Sequence, residues 1–184
     1  STQGYSSAAS DVYKRQIIDN TDRNNDPNFI DPMKNPEVEK YSYCISFKDD
    51  YIIVDDHRFQ ANVLVTDSFF LQLMDYPVIS GIKTIQRPDD AIITRKYAKH
   101  LFKDENPLGK QLVSSAGYTL TIRGIVDEPD TKSSLQFDLI TPVNQGKYMD
   151  WSRMGFCITR LVKGTELAKF NEKISKPQLS LIHI

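Results

Sequence analysis

The residues of this 184-residue chain best equipped for chemistry fall in three short groups, and each also has a plain structural role. Asp55, Asp56 and His57 in "VDDHRF" have the donor types of a metal or general-base site. Consecutive residues of a hairpin turn point in different directions, however, and Asp is favoured in turns, so the turn role outweighs the chemical one. Asp127, Glu128 and Asp130 gather around Pro129. Carboxylates in a loop, with nothing to raise the pKa of one of them, give no basis for glycoside chemistry. His100 has Lys96, Lys99 and Lys103 as neighbours on the polar side of an amphipathic stretch, which is a solvated face. No phosphate-cradling glycine motif and no nucleophile elbow occurs. No residue is therefore assigned a catalytic, cofactor-binding or metal-binding role, and no cofactor is expected.

Composition narrows the partners. Lys plus Arg number 23 against 24 Asp plus Glu, a formal net charge of −1, so no global field draws in nucleic acid, and no nucleic-acid partner is expected. Hydrophobic residues at 40% and charged residues at 26% are ordinary globular usage. No apolar run approaches the roughly 20 residues that span a bilayer. Cys44 and Cys157, far apart and without metal-ligand spacing, fit one bridge or two buried thiols. Their apolar alternating runs, "YCISF" and "GFCITRLV", favour thiols.

The elements that must position these residues follow from periodicity. "NFIDPMK" admits a short helix, and "YSYCISF" alternates Tyr41, Tyr43, Ile45 and Phe47 toward one buried face. "YIIVDDHRFQANVLVTD" predicts a hairpin turning at Asp55-Asp56, with Phe59, Ala61, Val63 and Val65 on one face. Asp67 is an expected N-cap for "SFFLQLM", with Phe69, Phe70, Leu73 and Met74 as apolar anchors. Thr94 caps a helix whose Tyr97, Ala98, Leu101 and Phe102 form one stripe. Asn106-Pro107 and Gly109 make a rigid reversal, and "KQLVSSAGYTLTIRGIV" predicts a hairpin around Ser115-Ala116-Gly117, with Tyr118, Leu120 and Ile122 on one face. "LQFDLITPV" and "GFCITRLVKG" are further strands, separated by a segment holding Trp151. Thr165 caps a last helix over 165–176 with Leu167, Phe170 and Ile174. Strands and helices are mixed without strict alternation, so the fold class is α+β.

The order of these stretches resembles a known family. "VTDSFFLQLMDYPVISG", "AIITRKYAKHLFKDENPLGKQL", "YTLTIRGIVDEP" and "SSLQFDLITPV" together resemble the MacB-like periplasmic core domain of FtsX-type ABC transporter permeases, most closely the versions common in Bacteroidetes. The resemblance covers approximately residues 36 to 176 and rests on Asp67, Phe69, Phe70, Ala98, Phe102, Asn106, Pro107, Gly109, Lys110, Gly124, Asp127, Phe137 and Asp138. At Lys103 the family often has Gly.

The resemblance implies a porter-like mixed subdomain with an inserted, smaller β-rich subdomain at about 67–126, within a core domain over 17–178. Residues 1–16 and 179–184, the latter including His183, show no core-forming period and resemble adapter sequence read as coding sequence, so both are expected to lie outside the domain. The chain is accordingly expected to be a fragment that lacks the first part of the domain. The family places such a domain on the periplasmic side of the bacterial cytoplasmic membrane, between transmembrane helices of the same permease. Its partners there are a cytoplasmic ATPase subunit and a periplasmic adaptor or lipoprotein. The implied role is non-catalytic: transmitting conformational change for export or for lipoprotein or peptide release. The alternative is a free-standing periplasmic ligand- or protein-binding module.

Overall fold

The computed structural model describes residues 3–5, 14–20, 35–74, 76–128, 135–143 and 155–175. The backbone divides into two compact units, Ser1–Tyr43 with Asp150–Ile184, and Cys44–Met149. The division falls inside the 17-residue strand β3 (Val38–Val54).

In the first unit, β1 (Gln3–Tyr5) pairs antiparallel with β2 (Lys14–Asn20), and β2 pairs along its whole length with β10 (Gly155–Leu161). β10 in turn neighbours the start of β3. Helix α3 (Leu167–Ser175) closes the unit through Phe170, which is buried against Cys157 and Leu161, with Val38, Tyr41, Tyr43 and Leu167 around them. Ion pairs Lys173–Glu37 at 2.9 Å and Arg160–Glu39 at 2.8 Å tie α3 and β10 to the segment that opens β3. The Lys173 ammonium holds the Glu37 carboxyl below its usual range.

The reading of residues 1–16 as lacking a strand period is corrected by this pairing. Gln3–Tyr5 and Lys14–Asn20 are strands, β2 pairing through its backbone with β10 and β1 with β2. The buried face of the following strand is also corrected. Ser42 and Cys44 are fully enclosed while Tyr41 and Tyr43 are half-buried, edge-to-face at 5.3 Å. The helix expected over "NFIDPMK", the Trp151 segment and the tail 179–184 lie outside the described residues.

In the second unit, β3 pairs with β4 (His57–Thr66) in the expected hairpin, where Asp55 and Asp56 take φ of +47° and +61°. Both values suit a two-residue turn that matches the twist of its strands. β4 runs parallel to β9 (Leu139–Pro142), and β9 runs antiparallel to β6 (Asp90–Thr94). β6 runs parallel to β8 (Thr119–Val126), which forms a hairpin with β7 (Gln111–Ser114). β7 then returns to β3 through Ile52↔Ser114 and Ile53↔Val113, so β3, β4, β9, β6, β8 and β7 close a ring. Closure removes strand edges that would otherwise template pairing with other chains. The short β5 (Val78–Gly81) takes the remaining edge of β8. Residues 67–126 lie wholly inside this unit.

The ring is filled as its sequence pattern requires. β6 and β9 are buried along their whole length, and β8 alternates strictly, with Leu120, Ile122 and Val126 enclosed. Helix α2 (Arg95–Phe102) begins as expected, since Thr94 Oγ1 accepts from the Tyr97 amide at 3.2 Å. It buries Tyr97, Ala98 and Phe102 and ends at Lys103, whose φ of +55° and ψ of −116° lie where a Cβ is crowded. A Gly at this position would relieve that strain. Lys103→Gly should raise stability by about 1 kcal/mol, whereas Lys99→Gly in the helix interior should lower it by about the same amount. Urea midpoints of the two variants measure the contrast.

Candidate functional site

The family-motif residues sit at three local constellations in the second unit. The first is aromatic. Helix α1 (Phe70–Leu73) is a single turn that drives Phe70 to complete burial. There it stacks on Tyr76 at 5.8 Å and meets Phe137 edge-on at 5.8 Å, while Tyr76 and Phe137 are 5.1 Å apart. Two expectations are corrected at this point. Phe69 is not a core anchor but 42% exposed, because the one-turn helix starts a residue later than the apolar run and turns Phe69 outward. Asp67 does not cap α1. Its Oδ1 accepts from the Phe69 amide at 2.9 Å, a local turn that precedes the helix, and the N-cap position is Phe69.

The second constellation is the reversal after α2. Asn106 Oδ1 accepts from the Leu108 amide at 3.1 Å, the Pro107 carbonyl accepts from the Lys110 amide at 3.1 Å, and Gly109 turns with φ of +85°. The Gly109 amide donates to the Ile122 carbonyl at 2.8 Å and the Ile122 amide donates to the Lys110 carbonyl at 2.9 Å, so the reversal is pinned to β8. Lys110 Nζ lies 5.3 Å from the Phe102 ring centroid and 2.7 Å from Glu105, whose carboxyl it holds below the usual range. Ala98 and Phe102 face the core beside this reversal.

The third constellation is the start of β9. Asp138 Oδ2 accepts from the Asn62 amide at 2.7 Å, the Asp138 amide donates to the Asn62 carbonyl at 2.8 Å, and the Asp138 carbonyl accepts from the Thr94 amide at 3.0 Å. One residue therefore satisfies backbone groups of both β4 and β6. Nearby on β4, the Gln60 carbonyl accepts from the Tyr97 hydroxyl at 2.7 Å. Burial, with the Asp138 carboxylate adding to it, pushes the Tyr97 phenol well above its ordinary range.

The remaining motif residues act locally. Gly124 has no room for a side chain, since a Cβ there would stand 2.8 Å from the Ile82 carbonyl oxygen. Asp127 makes an exposed ion pair with Arg95 at 3.2 Å. The structure thus joins Phe70 with Phe137 and Phe102 with Lys110, and leaves Asp67 and Asp127 in separate local contacts.

Sequence reading passed over one buried charge cluster. Asp90 is 1% exposed; its Oδ2 accepts from the Gln86 and Arg87 amides at 2.8 and 2.7 Å, and its Oδ1 accepts from Arg123 Nη1 at 2.7 Å. Arg123 Nη2 reaches Asp89 at 2.9 Å. The Arg123 guanidinium holds the Asp89 carboxyl below its usual range, and Asp89 and Asp90 hold Arg123 above its own. The available signal was Arg123 itself, the one charge in the alternating run "YTLTIRGIV". Asp55, Asp56 and His57 occupy the hairpin turn, with His57 Nδ1 2.8 Å from the Asp55 carbonyl, and Asp130 lies outside the described residues. Among the described residues, no group of three or more His, Cys, Asp or Glu is placed to hold a metal ion. Cys44 and Cys157 are buried thiols, with Cys44 Sγ 3.3 Å from Thr66 Oγ1.

The sequence pattern of the MacB-like periplasmic core domain matches residues 3–176. This chain belongs to that family. Family members are periplasmic domains of MacB/FtsX-like ABC transporter permeases, generally non-catalytic, and those permeases pair with cytoplasmic ATPases. Among solved structures, the chain is similar in fold to a domain of a putative permease protein from Porphyromonas gingivalis, with a TM-score of 0.63 and 19% identity over 76% of this chain and 69% of that one. It is also similar to the periplasmic region of MacB from Actinobacillus actinomycetemcomitans, with a TM-score of 0.64 and 15% identity over 80% and 69% of the two chains. A third likeness is to the extracellular domain of the noncanonic ABC-type transporter YknZ from Gram-positive bacteria, with a TM-score of 0.59 and 17% identity over 90% and 91%. No curated protein matches the chain. No described helix is long and apolar enough to cross a membrane.

The two neighbouring motif phenylalanines should separate cleanly in stability measurements. Phe70→Ala removes a fully buried ring and should cost about 3–5 kcal/mol, whereas Phe69→Ala should cost less than about 1 kcal/mol. Equal losses for the two in urea denaturation would contradict the observed orientation of α1.

Proposed function

We propose that this chain serves its permease as a stiff, non-catalytic extracytoplasmic element. It passes conformational change driven by the cytoplasmic ATPase to a task outside the cytoplasmic membrane, the export or release of a lipoprotein or peptide. On this reading its partners are the transmembrane helices of the same permease, the ATPase subunit, and a periplasmic adaptor or lipoprotein. The observation that carries the proposal is the Asp138 junction, where one side chain and its backbone hold β4, β9 and β6 together. A ring joined in this way resists shear between its strands, as a force-bearing part must. The family residues also serve packing and turn geometry: Phe70 and Phe137 fill the core, and Asn106, Pro107 and Gly109 fix a reversal.

Stiffness matters only if the chain leaves the domain through a rigid joint. Helix α3 is docked through buried Phe170 and the Lys173–Glu37 pair, so it is suited to carry motion out of the first unit. Inserting a Gly/Ser linker after Lys176 in the intact permease should uncouple transport while leaving membrane insertion and basal ATP hydrolysis near normal, because a flexible joint dissipates displacement. Transport at the normal rate with the linker in place would overturn the force-transmitting reading and favour a tethered binding module.

A further inference from the structure

We propose that Lys96, Lys99 and Lys103 form a docking stripe for an acidic segment of a partner protein. The inference goes beyond the force-transmitting reading and does not rest on it. Lys96 and Lys99 lie at positions i and i+3 on one face of α2, and Lys103 follows at its C-cap, where the backbone leaves the helical path at φ of +55°. All three are exposed, and the opposite face of the helix is locked in the core by Tyr97, Ala98 and Phe102. The stripe is therefore presented by a fixed backbone. Two carboxylates near its ends are already engaged, Asp127 with Arg95 and Glu105 with Lys110. Like charges three residues apart on a helix repel, and a line of carboxylates opposite them would relieve that repulsion.

The shape of the stripe favours a protein segment over a lipid surface. Asp127 at one end and Asp104 with Glu105 at the other bound it with negative charge. A flat anionic membrane would meet those carboxylates as well as the lysines, whereas a single narrow segment can avoid them. Helices that settle into a membrane interface also bring Trp, Phe or Leu with them. Here the exposed residues of α2 are Arg95, Lys96, Lys99 and His100, and its apolar residues face the protein interior.

The test uses the 184-residue chain and a fluorescently labelled decaglutamate peptide, titrated by anisotropy at about 0.01 M and about 0.15 M salt. The chain should bind the peptide, and more weakly at the higher salt. Charge reversal by K96E/K99E/K103E should weaken binding at low salt by about tenfold or more. The control K48E/K83E/K163E reverses three exposed lysines elsewhere and changes net charge equally, and it should stay within about twofold of the unaltered chain. A third variant, K96A/K99A/K103A, should also lose affinity and guards against misfolding of the reversed stripe, with thermal midpoints recorded for all. Equal loss in the stripe and control variants would overturn the proposal, as would absence of peptide binding. Stripe-dependent binding to vesicles of phosphatidylglycerol and phosphatidylcholine without peptide binding would assign the surface to lipid and overturn it too.

Discussion

Asp138 is the joint on which the second unit depends. A parallel strand pair and an antiparallel one meet at β9, which is only four residues long and cannot hold its place by ladder bonds alone. The Asp138 carboxylate, amide and carbonyl each satisfy a neighbouring backbone group, two on Asn62 and one on Thr94. Hydrogen bonds to a charged acceptor contribute about 1.5–3 kcal/mol, more than neutral ones. The same joint places Thr94 where it caps α2, and α2 then covers the core with Tyr97 and Phe102. Sheet order, helix position and core closure therefore trace to a single residue.

Around that joint the fold handles its remaining polar groups in pairs. Asp90 brings a carboxylate into the interior, and its oxygens accept from two loop amides and from Arg123, which fixes the segment leading into β6. A buried charge left alone costs several kcal/mol, which is why both partners are needed. The β3–β7 and β6–β9 joins are the shortest of the ring, with two register pairs each.

Much of the fold was legible because it rests on local chemistry. The Asp55-Asp56 turn, the Thr94 cap, the Asn106-to-Gly109 reversal and the hairpin at Gly117 each follow from residues that favour one backbone geometry. What escaped was non-local. Asp90 finds Arg123 across 33 residues, and Asp138 finds Asn62 across 76, separations that no window of periodicity spans. The α1 region failed for another reason: Phe69 and Phe70 are the same residue type, and only the start of a one-turn helix decides which of them enters the core. The strand at 3–5 and the start of the strand at 14–20 escaped because three or four polar and small residues show no hydrophobic period, whereas backbone groups of any residue type can pair. Most of the motif residues are parts of turns and packing.

The most direct test of the central claim is native-state hydrogen exchange on Asp138→Ala, read at the amides of Asn62, Thr94, Leu139 and Ile140. If Asp138 is the joint, all four should lose protection together, by about 2 kcal/mol or more in opening free energy, because releasing β9 frees both of its neighbours. Loss confined to the Asn62 amide, with Thr94, Leu139 and Ile140 exchanging as before, would contradict the account and reduce Asp138 to a single local hydrogen bond.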